Sequence, residues 1–170
     1  MVAMAMRSRL ESELSETGRT VTSFLEELVG ERVDAHERRH VTVAAGTPNL
    51  FGVEKGHPLV RRSAVLQGRT SAQPFVNAET LLVPSRLPAA CCRRLETSAD
   101  PIGRILATEG IDFTRSQLPG PCGSQPWARN PLAVPDDCLL ARTYRLDIDG
   151  LAVMVISEWF LRSLEAFLSP

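Results

Sequence analysis

The pattern of apolar and polar residues is clearest in residues 141–161, ARTYRLDIDGLAVMVISEWFL. In its first half, apolar residues alternate with charged ones: Tyr144, Leu146 and Ile148 against Arg145, Asp147 and Asp149. This period of two predicts a half-buried strand. Asp149-Gly150 favours the positive φ angles of a two-residue hairpin turn. The return strand, Leu151 to Phe160, is apolar on both faces, which predicts a central strand covered on both sides.

One charged residue interrupts this predicted central strand. Glu158 lies on the same face as Met154, Ile156 and Phe160. An ionised carboxylate among apolar side chains costs several kcal/mol unless a partner compensates it. Two interpretations follow from the residues alone. Either the strand frays and Glu158 reaches water, or Glu158 is buried and has a partner or a function there.

A second alternating stretch, Val60 to Gln67, also places a charge on an apolar face. The residues that share this face are Val60, Arg62, Ala64 and Leu66. Arg61 lies on the wetter face. A buried guanidinium needs a carboxylate or several carbonyls as partners. The next predicted strand, Phe75 to Val83, carries Glu79, so an ordinary ion pair of Glu79 with Arg62 or Arg61 remains an alternative to a functional site.

The rest of the chain predicts short helices around these strands. Helical patterns cover residues 1–16, 17–31, 84–96 and 100–110, and a further strand covers 32–45. Ser23 with Glu26 resembles a capping box, and Gly30 is a natural helix stop. Ser85 is the predicted cap of the third helix. Pro101 fits the first position of the fourth helix.

Residues 114–138 contain five prolines and predict a long loop that is a lid, a binding loop or disordered.

Strands joined as hairpins, with helices before and between them, indicate a mostly antiparallel sheet with helices on one face. We therefore expect one α+β domain over residues 1–170.

Composition argues against several classes of function. Charged residues make up 23% of the chain, and the net charge is −1, which does not favour a nucleic-acid or membrane partner. No apolar run approaches the roughly 20 residues of a membrane helix, and the N-terminus does not resemble a secretory signal. The four cysteines lack metal or disulfide spacing, so we expect reduced thiols in the cytoplasm. The three histidines form no metal set.

Four segments, in order and spacing, resemble the chorismate pyruvate-lyase family: RRSAVLQGR, FVNAETLLVPSRLP, DPIGRIL and ARTYRLDIDGLAVMVISEWFLRS. The resemblance covers roughly residues 17–164 and is closest to the actinobacterial branch that makes 4-hydroxybenzoate. It implies a lyase that converts chorismate to 4-hydroxybenzoate and pyruvate. It also implies a single α+β domain whose internal cavity lies under two helical flaps.

The resemblance also assigns residues. The arginine that binds the substrate carboxylate corresponds to Arg62, and the active-site glutamate to Glu158. Two flap positions that line the ring correspond to Val21 and Ile102. Arg62 and Glu158 are thus the expected catalytic pair, and all four residues are expected to bind substrate. Glu158 would act as a general acid on the departing side chain or contact the phenolic end of the product. The resemblance implies no metal, flavin or nicotinamide.

Other interpretations remain open. The same fold occurs as the effector-binding half of bacterial transcription regulators, so a small aromatic-acid sensor is one alternative. Those regulators carry a DNA-binding domain for which we see no separate segment, which favours the lyase. A related reaction with another product, such as 3-hydroxybenzoate, is the second alternative. A plain ion pair between Arg62 and Glu158 in the core is the third. The expected assembly is a monomer or homodimer.

Overall fold

The computed structural model describes residues 2–14, 19–118 and 136–168. Its helices are α1 (Val2–Leu14), α2 (Val21–Val29), α3 (Ala89–Thr97), α4 (Ile102–Thr108) and α5 (Glu165–Leu168). Its strands are β1 (Val33–Ala44), β2 (Pro58–Gly68), β3 (Pro74–Leu82), β4 (Thr114–Gln117), β5 (Cys138–Ile148) and β6 (Leu151–Leu161). Short 3₁₀ turns occupy Pro84–Arg86 and Arg162–Leu164.

The six strands form one sheet in the order β1-β2-β3-β6-β5-β4, and every neighbouring pair is antiparallel. The predicted α+β class with an antiparallel sheet is therefore confirmed. β6 lies between β3 and β5, and every residue from Val153 to Leu161 is buried. This explains why the β6 sequence is apolar on both faces.

The hairpin between β5 and β6 turns at Asp149 and Gly150, both at positive φ (52° and 77°), as predicted. A bulge between Leu146 and Asp147 then shifts the strand pairing by one residue. Before the bulge Ile148 pairs with Leu151; beyond it Arg142 lies opposite Glu158. The bulge therefore decides which β5 residue meets the glutamate.

Helices pack on the sheet face that carries Arg62. At one end α2 joins a core with Ala64 and Leu66. At the other end α3 and α4 join a core with Leu146 and Ile156. The opposite face of the sheet has a separate apolar cluster around Phe51. The gap between the two helix-covered cores is where the candidate site lies.

Three predicted helix starts are wrong. Helix α2 begins earlier than the capping-box pattern indicated, because the Thr20 side chain accepts the Ser23 N–H and makes Thr20 the cap. The segment after β3 forms a 3₁₀ turn first, and α3 begins only after Pro88, so Ser85 caps no helix. Pro101 is the N-cap of α4 rather than its first residue.

The predicted loop over residues 114–138 is also partly wrong. Thr114–Gln117 form β4, an edge strand paired with β5, and Cys138 is the first residue of β5. Pairing with an existing strand supplies hydrogen bonds that the short local pattern did not reveal. Residues 119–135, including Cys122 and all five prolines of the predicted loop, lie outside the described residues.

Candidate active site

Arg62 is a buried cation without a counter-charge in the described part of the chain. Its residue is 3% exposed, and its Nε and Nη2 atoms have no hydrogen-bond partner there. Burial, reinforced by the nearby positive charge of Arg38, lowers the pKa of Arg62 to about 10. At neutral pH the side chain is therefore charged, and no described residue compensates that charge, a combination that is typical of groups that bind an anionic ligand.

The ion pairs that the sequence offered for Arg62 are wrong. Glu79 lies on the opposite face of the sheet, where its carboxylate is 3.6 Å from the Nε atom of Arg61. Burial raises the pKa of Glu79, and Arg61 partly opposes that shift. Glu158 pairs with Arg142, so the proposed core pair between Arg62 and Glu158 does not form. Adjacent residues of β2 thus lie on different faces of the sheet: Arg61 is paired, and Arg62 has no counter-charge among the residues that the structure describes.

Glu158, 3% exposed, is held by two donors on β5. The Nε atom of Arg142 donates to Oε2 at 2.8 Å, and the hydroxyl of Tyr144 donates to Oε1 at 2.7 Å. The interpretation that β6 frays and exposes Glu158 is therefore wrong. Both oxygens accept hydrogen bonds, which fixes the orientation of the carboxyl group.

The two donors are themselves held in place. The Arg142 guanidinium lies 4.7 Å from the Tyr144 ring centroid and 5.7 Å from that of Phe160. Burial acts to lower the pKa of Arg142, but Glu158 and Tyr144 together outweigh it and the net shift is upward. Burial, with Glu158 next, raises the pKa of Tyr144 well above its ordinary value, so Tyr144 remains a protonated donor.

Small side chains form the floor between Arg62 and Glu158. Strand pairing sets Arg62 beside Thr80 and sets Ala64 beside Ala78, which in turn lies beside Glu158. These residues project from the sheet toward the helices, and their short side chains leave space that larger residues would fill. The sheet thus carries a shallow depression with a cation on one side and a carboxylate on the other.

Two helix N-termini cover this depression. Val21 begins α2 and Ile102 begins α4. The helices meet at Gly103, where a Cβ atom would lie 2.8 Å from the Cβ of Thr20. Glycine therefore permits an approach that no other residue allows without displacement.

Val21, Arg62, Ile102 and Glu158, the four residues expected from the resemblance, line one pocket with a cavity of about 40 Å³. The structure thus brings together residues as far apart in the chain as Val21 and Glu158, which are separated by 137 positions. Tyr144 and Arg115 also line it. A larger cavity of about 510 Å³ lies on the opposite face, where Arg61 is already paired with Glu79.

Two residues of this region, Arg142 and Arg115, had no predicted role. Arg142 shares the parity of Tyr144 and Leu146, which was a signal for an inward-facing position. Its contact with Glu158 depends on the bulge, for which the sequence carried no signal. Arg115 fell in the predicted loop, where no alternation indicated which way it faces. Its pairing with Leu146 on β4 and β5 sets its inward direction.

Neither a membrane-spanning helix nor a metal-binding cluster occurs among the described residues. No helix in ranges 2–14, 19–118 and 136–168 is long and apolar enough to cross a bilayer. Within the same ranges, no group of three His, Cys, Asp or Glu side chains has an arrangement that could hold a metal ion.

Comparisons with known proteins place this chain in a family. No protein-family model matches the chain. A chorismate pyruvate-lyase of Mycobacterium tuberculosis is 35% identical over 108 residues, 62% of this chain and 54% of the relative. The chain thus spans about half the length of that relative. A chorismate pyruvate-lyase of Mycobacterium leprae is 30% identical over 158 residues, 87% of this chain and 72% of the relative.

A comparison of structures agrees on the fold. PhnF from Mycobacterium smegmatis matches with a TM-score of 0.54 at 15% identity, covering 86% of this chain and 66% of PhnF. At that identity the likeness concerns the fold alone. The likeness to the M. leprae enzyme extends over most of both chains, and the chain described here belongs to the chorismate pyruvate-lyase family.

Proposed function

We propose that this chain is a chorismate pyruvate-lyase that releases 4-hydroxybenzoate and pyruvate from chorismate. The observation that supports this most directly is the unpaired, buried guanidinium of Arg62 in the same pocket as the oriented carboxylate of Glu158. Family membership indicates the substrate, and the two side chains fit its chemistry. Chorismate has a carboxylate on its ring, an enolpyruvyl ether at C3, and a hydroxyl and a hydrogen at C4.

Arg62 is proposed to bind the ring carboxylate. A guanidinium can donate two parallel N–H bonds to a carboxylate, so it fixes the orientation of the ring as well as compensating its charge. The Nε and Nη2 atoms lack partners among the described residues and are adjacent donors of the fork. A bound carboxylate would therefore satisfy the donors that the protein leaves unsatisfied.

Glu158 is proposed to accept the C4 proton. In the reaction the C3–O bond breaks with its electron pair on oxygen, and the C4–H electrons complete the aromatic ring. The enolpyruvate that leaves becomes pyruvate when its methylene carbon takes up a proton. Because both Glu158 oxygens already accept hydrogen bonds from Arg142 and Tyr144, the arrangement favours proton acceptance over the alternative role of general acid.

The proposed ligand cavity is enclosed by flaps. A cavity of about 40 Å³ holds only a few water molecules, whereas ring-sized ligands occupy several hundred Å³. Substrate entry would therefore require α2 and α4 to separate, with Val21 and Ile102 closing over the ring afterwards. We assign no step to a metal, because aromatisation supplies the driving force and Arg62 supplies the cation.

Incubation of the purified full chain with chorismate tests this function. We expect 4-hydroxybenzoate by chromatography and an equal amount of pyruvate by a lactate dehydrogenase assay. Arg62→Ala should abolish both, and the matched control Arg39→Ala, an exposed arginine of the neighbouring strand, should retain both. Release of 3-hydroxybenzoate would refute the product assignment. Tight binding of hydroxybenzoate without any turnover would refute the lyase and favour the sensor.

A further inference from the structure

We infer that Arg115 is a second carboxylate-binding residue of the Arg62 pocket, which makes the pocket selective for dicarboxylates. This inference rests on the proposed function, since it extends the same site. Neither the strand pattern nor the family resemblance assigned a role to this residue. Four features carry it: the position of Arg115, its lack of an ion pair among the described residues, the charge balance of the pocket, and the position of Glu158 on the middle strand between β2 and β4.

Arg115 faces the pocket from the edge of the sheet. On β4 it pairs with Leu146 of β5, which belongs to the helix-covered core. Its guanidinium carbon lies 4.8 Å from the Tyr144 ring centroid and 6.0 Å from that of Phe113. Stacking against two aromatic rings holds the side chain over the site without neutralising its charge.

Arg115 has no anionic partner in the described part of the chain. Its Nε atom is buried and has no hydrogen-bond partner among those residues. The guanidinium of Arg142, by comparison, is bonded to Glu158 at 2.8 Å. A half-buried arginine that combines an unsatisfied donor with the lack of a carboxylate partner among the described residues is expected where an anionic ligand completes the site.

The charge balance of the site matches a dianion. Arg62 and Arg115 contribute two positive charges to the lining, and Glu158 contributes one negative charge that Arg142, outside the lining, already compensates. Two cations therefore remain. A ligand with one carboxylate would compensate only one of them, whereas chorismate, with a ring carboxylate and an enolpyruvyl carboxylate, compensates both.

The strand order places the two cations at opposite ends of the site. Arg62 is on β2 and Arg115 is on β4, with β3, β6 and β5 between them. Four strand spacings separate their backbones by roughly 19 Å, and both long side chains line the same pocket between. Glu158 on β6 lies in the middle strand of this span. Along β6, Glu158 lies two residues from Ile156, which shares a row with Arg62, and on the side away from the Arg115 row. A ligand that bridges both arginines would therefore pass beside the carboxylate of Glu158, which lines the same pocket.

This placement gives Arg115 a different role from Arg62. With the ring carboxylate on Arg62 and the enolpyruvyl carboxylate on Arg115, the C3 and C4 atoms lie between the two anchors. After the C3–O bond breaks, the second carboxylate leaves as part of pyruvate, and the ring product keeps only its contact with Arg62. Arg115 thus strengthens the binding of substrate but not of 4-hydroxybenzoate, which reduces product retention.

The test separates substrate binding from product binding. For Arg115→Gln we expect KM for chorismate to rise roughly 10- to 100-fold, the range of one charge-assisted contact. The Kd of 4-hydroxybenzoate should stay within about twofold of wild type. Arg115→Lys should recover part of the KM effect. The matched control is Arg145→Gln, which removes the same charge from β5 on the opposite face, where Arg145 pairs with Asp147; it should leave KM unchanged.

Calorimetry with two stable ligands makes the result independent of turnover. The probes are 3-(1-carboxyvinyloxy)benzoate, an aromatic dicarboxylate, and 4-hydroxybenzoate. Wild type should bind the dicarboxylate at least tenfold more tightly, and Arg115→Gln should lose that preference. If the chain shows no lyase activity but keeps this preference, the proposed function fails and the inference stands. Equal weakening of both ligands by Arg115→Gln, or no preference in wild type, would overturn the inference.

Discussion

Two adjacent arginines of β2 lie on opposite faces of the sheet and differ in whether a described carboxylate pairs with them. Arg61 lies 3.6 Å from Glu79 and is accounted for as an ion pair. Arg62, on the other face, is almost fully buried with two donors unsatisfied among the described residues. Since burial lowers the pKa of Arg62 to about 10, its protonated form destabilises the fold throughout the pH range below that value. A bound carboxylate would offset this cost.

Replacing Arg62 by methionine should therefore separate stability from binding. We expect Arg62→Met to raise the free energy of unfolding by about 2 kcal/mol, because an apolar chain of similar length replaces an uncompensated cation. The same variant should bind 4-hydroxybenzoate at least a hundredfold more weakly. Urea denaturation and calorimetry measure the two effects. A variant that is less stable than wild type would mean that Arg62 has a structural partner after all.

Glu158 requires a more careful test, because its removal leaves a buried cation. Arg142 is 8% exposed and pairs with Glu158. We expect Glu158→Gln to lower stability by about 3 kcal/mol and to abolish turnover. Loss of stability alone would therefore not distinguish a structural residue from a catalytic one.

The double variant Arg142→Met with Glu158→Gln makes that distinction. Removing the stranded cation should restore most of the lost stability, and Tyr144 can reverse its hydrogen bond to accept from the glutamine amide. Turnover should remain absent in this stable protein, because no carboxylate is present to take the C4 proton. Recovery of turnover together with stability would refute the catalytic role of Glu158. Thermal melts and single-turnover kinetics on the three proteins provide the comparison.

At the scale of elements, alternation in the sequence predicted which face Arg62 and Glu158 occupy, and it succeeded because burial enforces a period of two. It could not predict the partner of Glu158. With Asp149-Gly150 as the turn and no bulge, Ser157 would lie opposite Arg142. The bulge at Leu146/Asp147 moves the pairing by one residue, and a bulge depends on the fit of the whole sheet rather than on local composition.

Helix starts and β4 show the same limit. Thr20 and Ser23 are both good cap residues, and the sequence alone did not identify Thr20 as the one that caps α2. β4 spans only Thr114–Gln117 and exists because β5 offers an open edge. The roles expected for Val21 and Ile102 came from the resemblance alone, since an apolar residue at a helix start carries no signal for ligand contact. Their place in the pocket with Arg62 emerged only from the fold.

The close approach of α2 and α4 at Gly103 gives a prediction for the flaps. In Gly103→Ala the new methyl group would lie 2.8 Å from the Cβ of Thr20, so the helices must move apart. We expect the Kd of 4-hydroxybenzoate to rise roughly tenfold. In wild type this product should protect residues 20–29 and 101–108 from hydrogen exchange, and the variant should lose much of that protection.

The control for this experiment is Thr108→Ala, which changes an exposed position of the same helix. It should leave both the Kd and the exchange pattern unchanged. If 4-hydroxybenzoate leaves exchange unaltered in wild type, α2 and α4 are not flaps, whatever the effect of the glycine substitution.

At the scale of the whole molecule, one ion-pair network joins the covering helices to the sheet. Arg104 of α4 contacts Glu26 of α2, Asp34 of β1 and Asp100, and it donates to the Val33 carbonyl at 2.8 Å. Asp34 also accepts two hydrogen bonds from Arg69, at 2.7 and 2.9 Å. The network thus ties both helices to the edge of the sheet beside the candidate site.

Acid should weaken this ion-pair network, because it protonates the carboxylate of Asp34. The hydrogen bond from Arg69 is the largest cause that lowers the pKa of Asp34 below its ordinary value of 3.8, and Arg104 adds to the effect. For a carboxyl group whose pKa falls on folding, the stabilisation is complete above the unfolded pKa and is lost as pH falls through the folded pKa. The free energy of unfolding should therefore decrease as the pH falls below about 4. Asp34→Asn should make that decrease shallower while lowering stability at pH 7.

Urea denaturation between pH 7 and pH 2.5 measures both effects. The control is Asp112→Asn, which changes an exposed carboxylate on the chain after α4. An acid limb that is equally steep in Asp34→Asn and wild type would show that Asp34 does not carry the acid sensitivity of the fold.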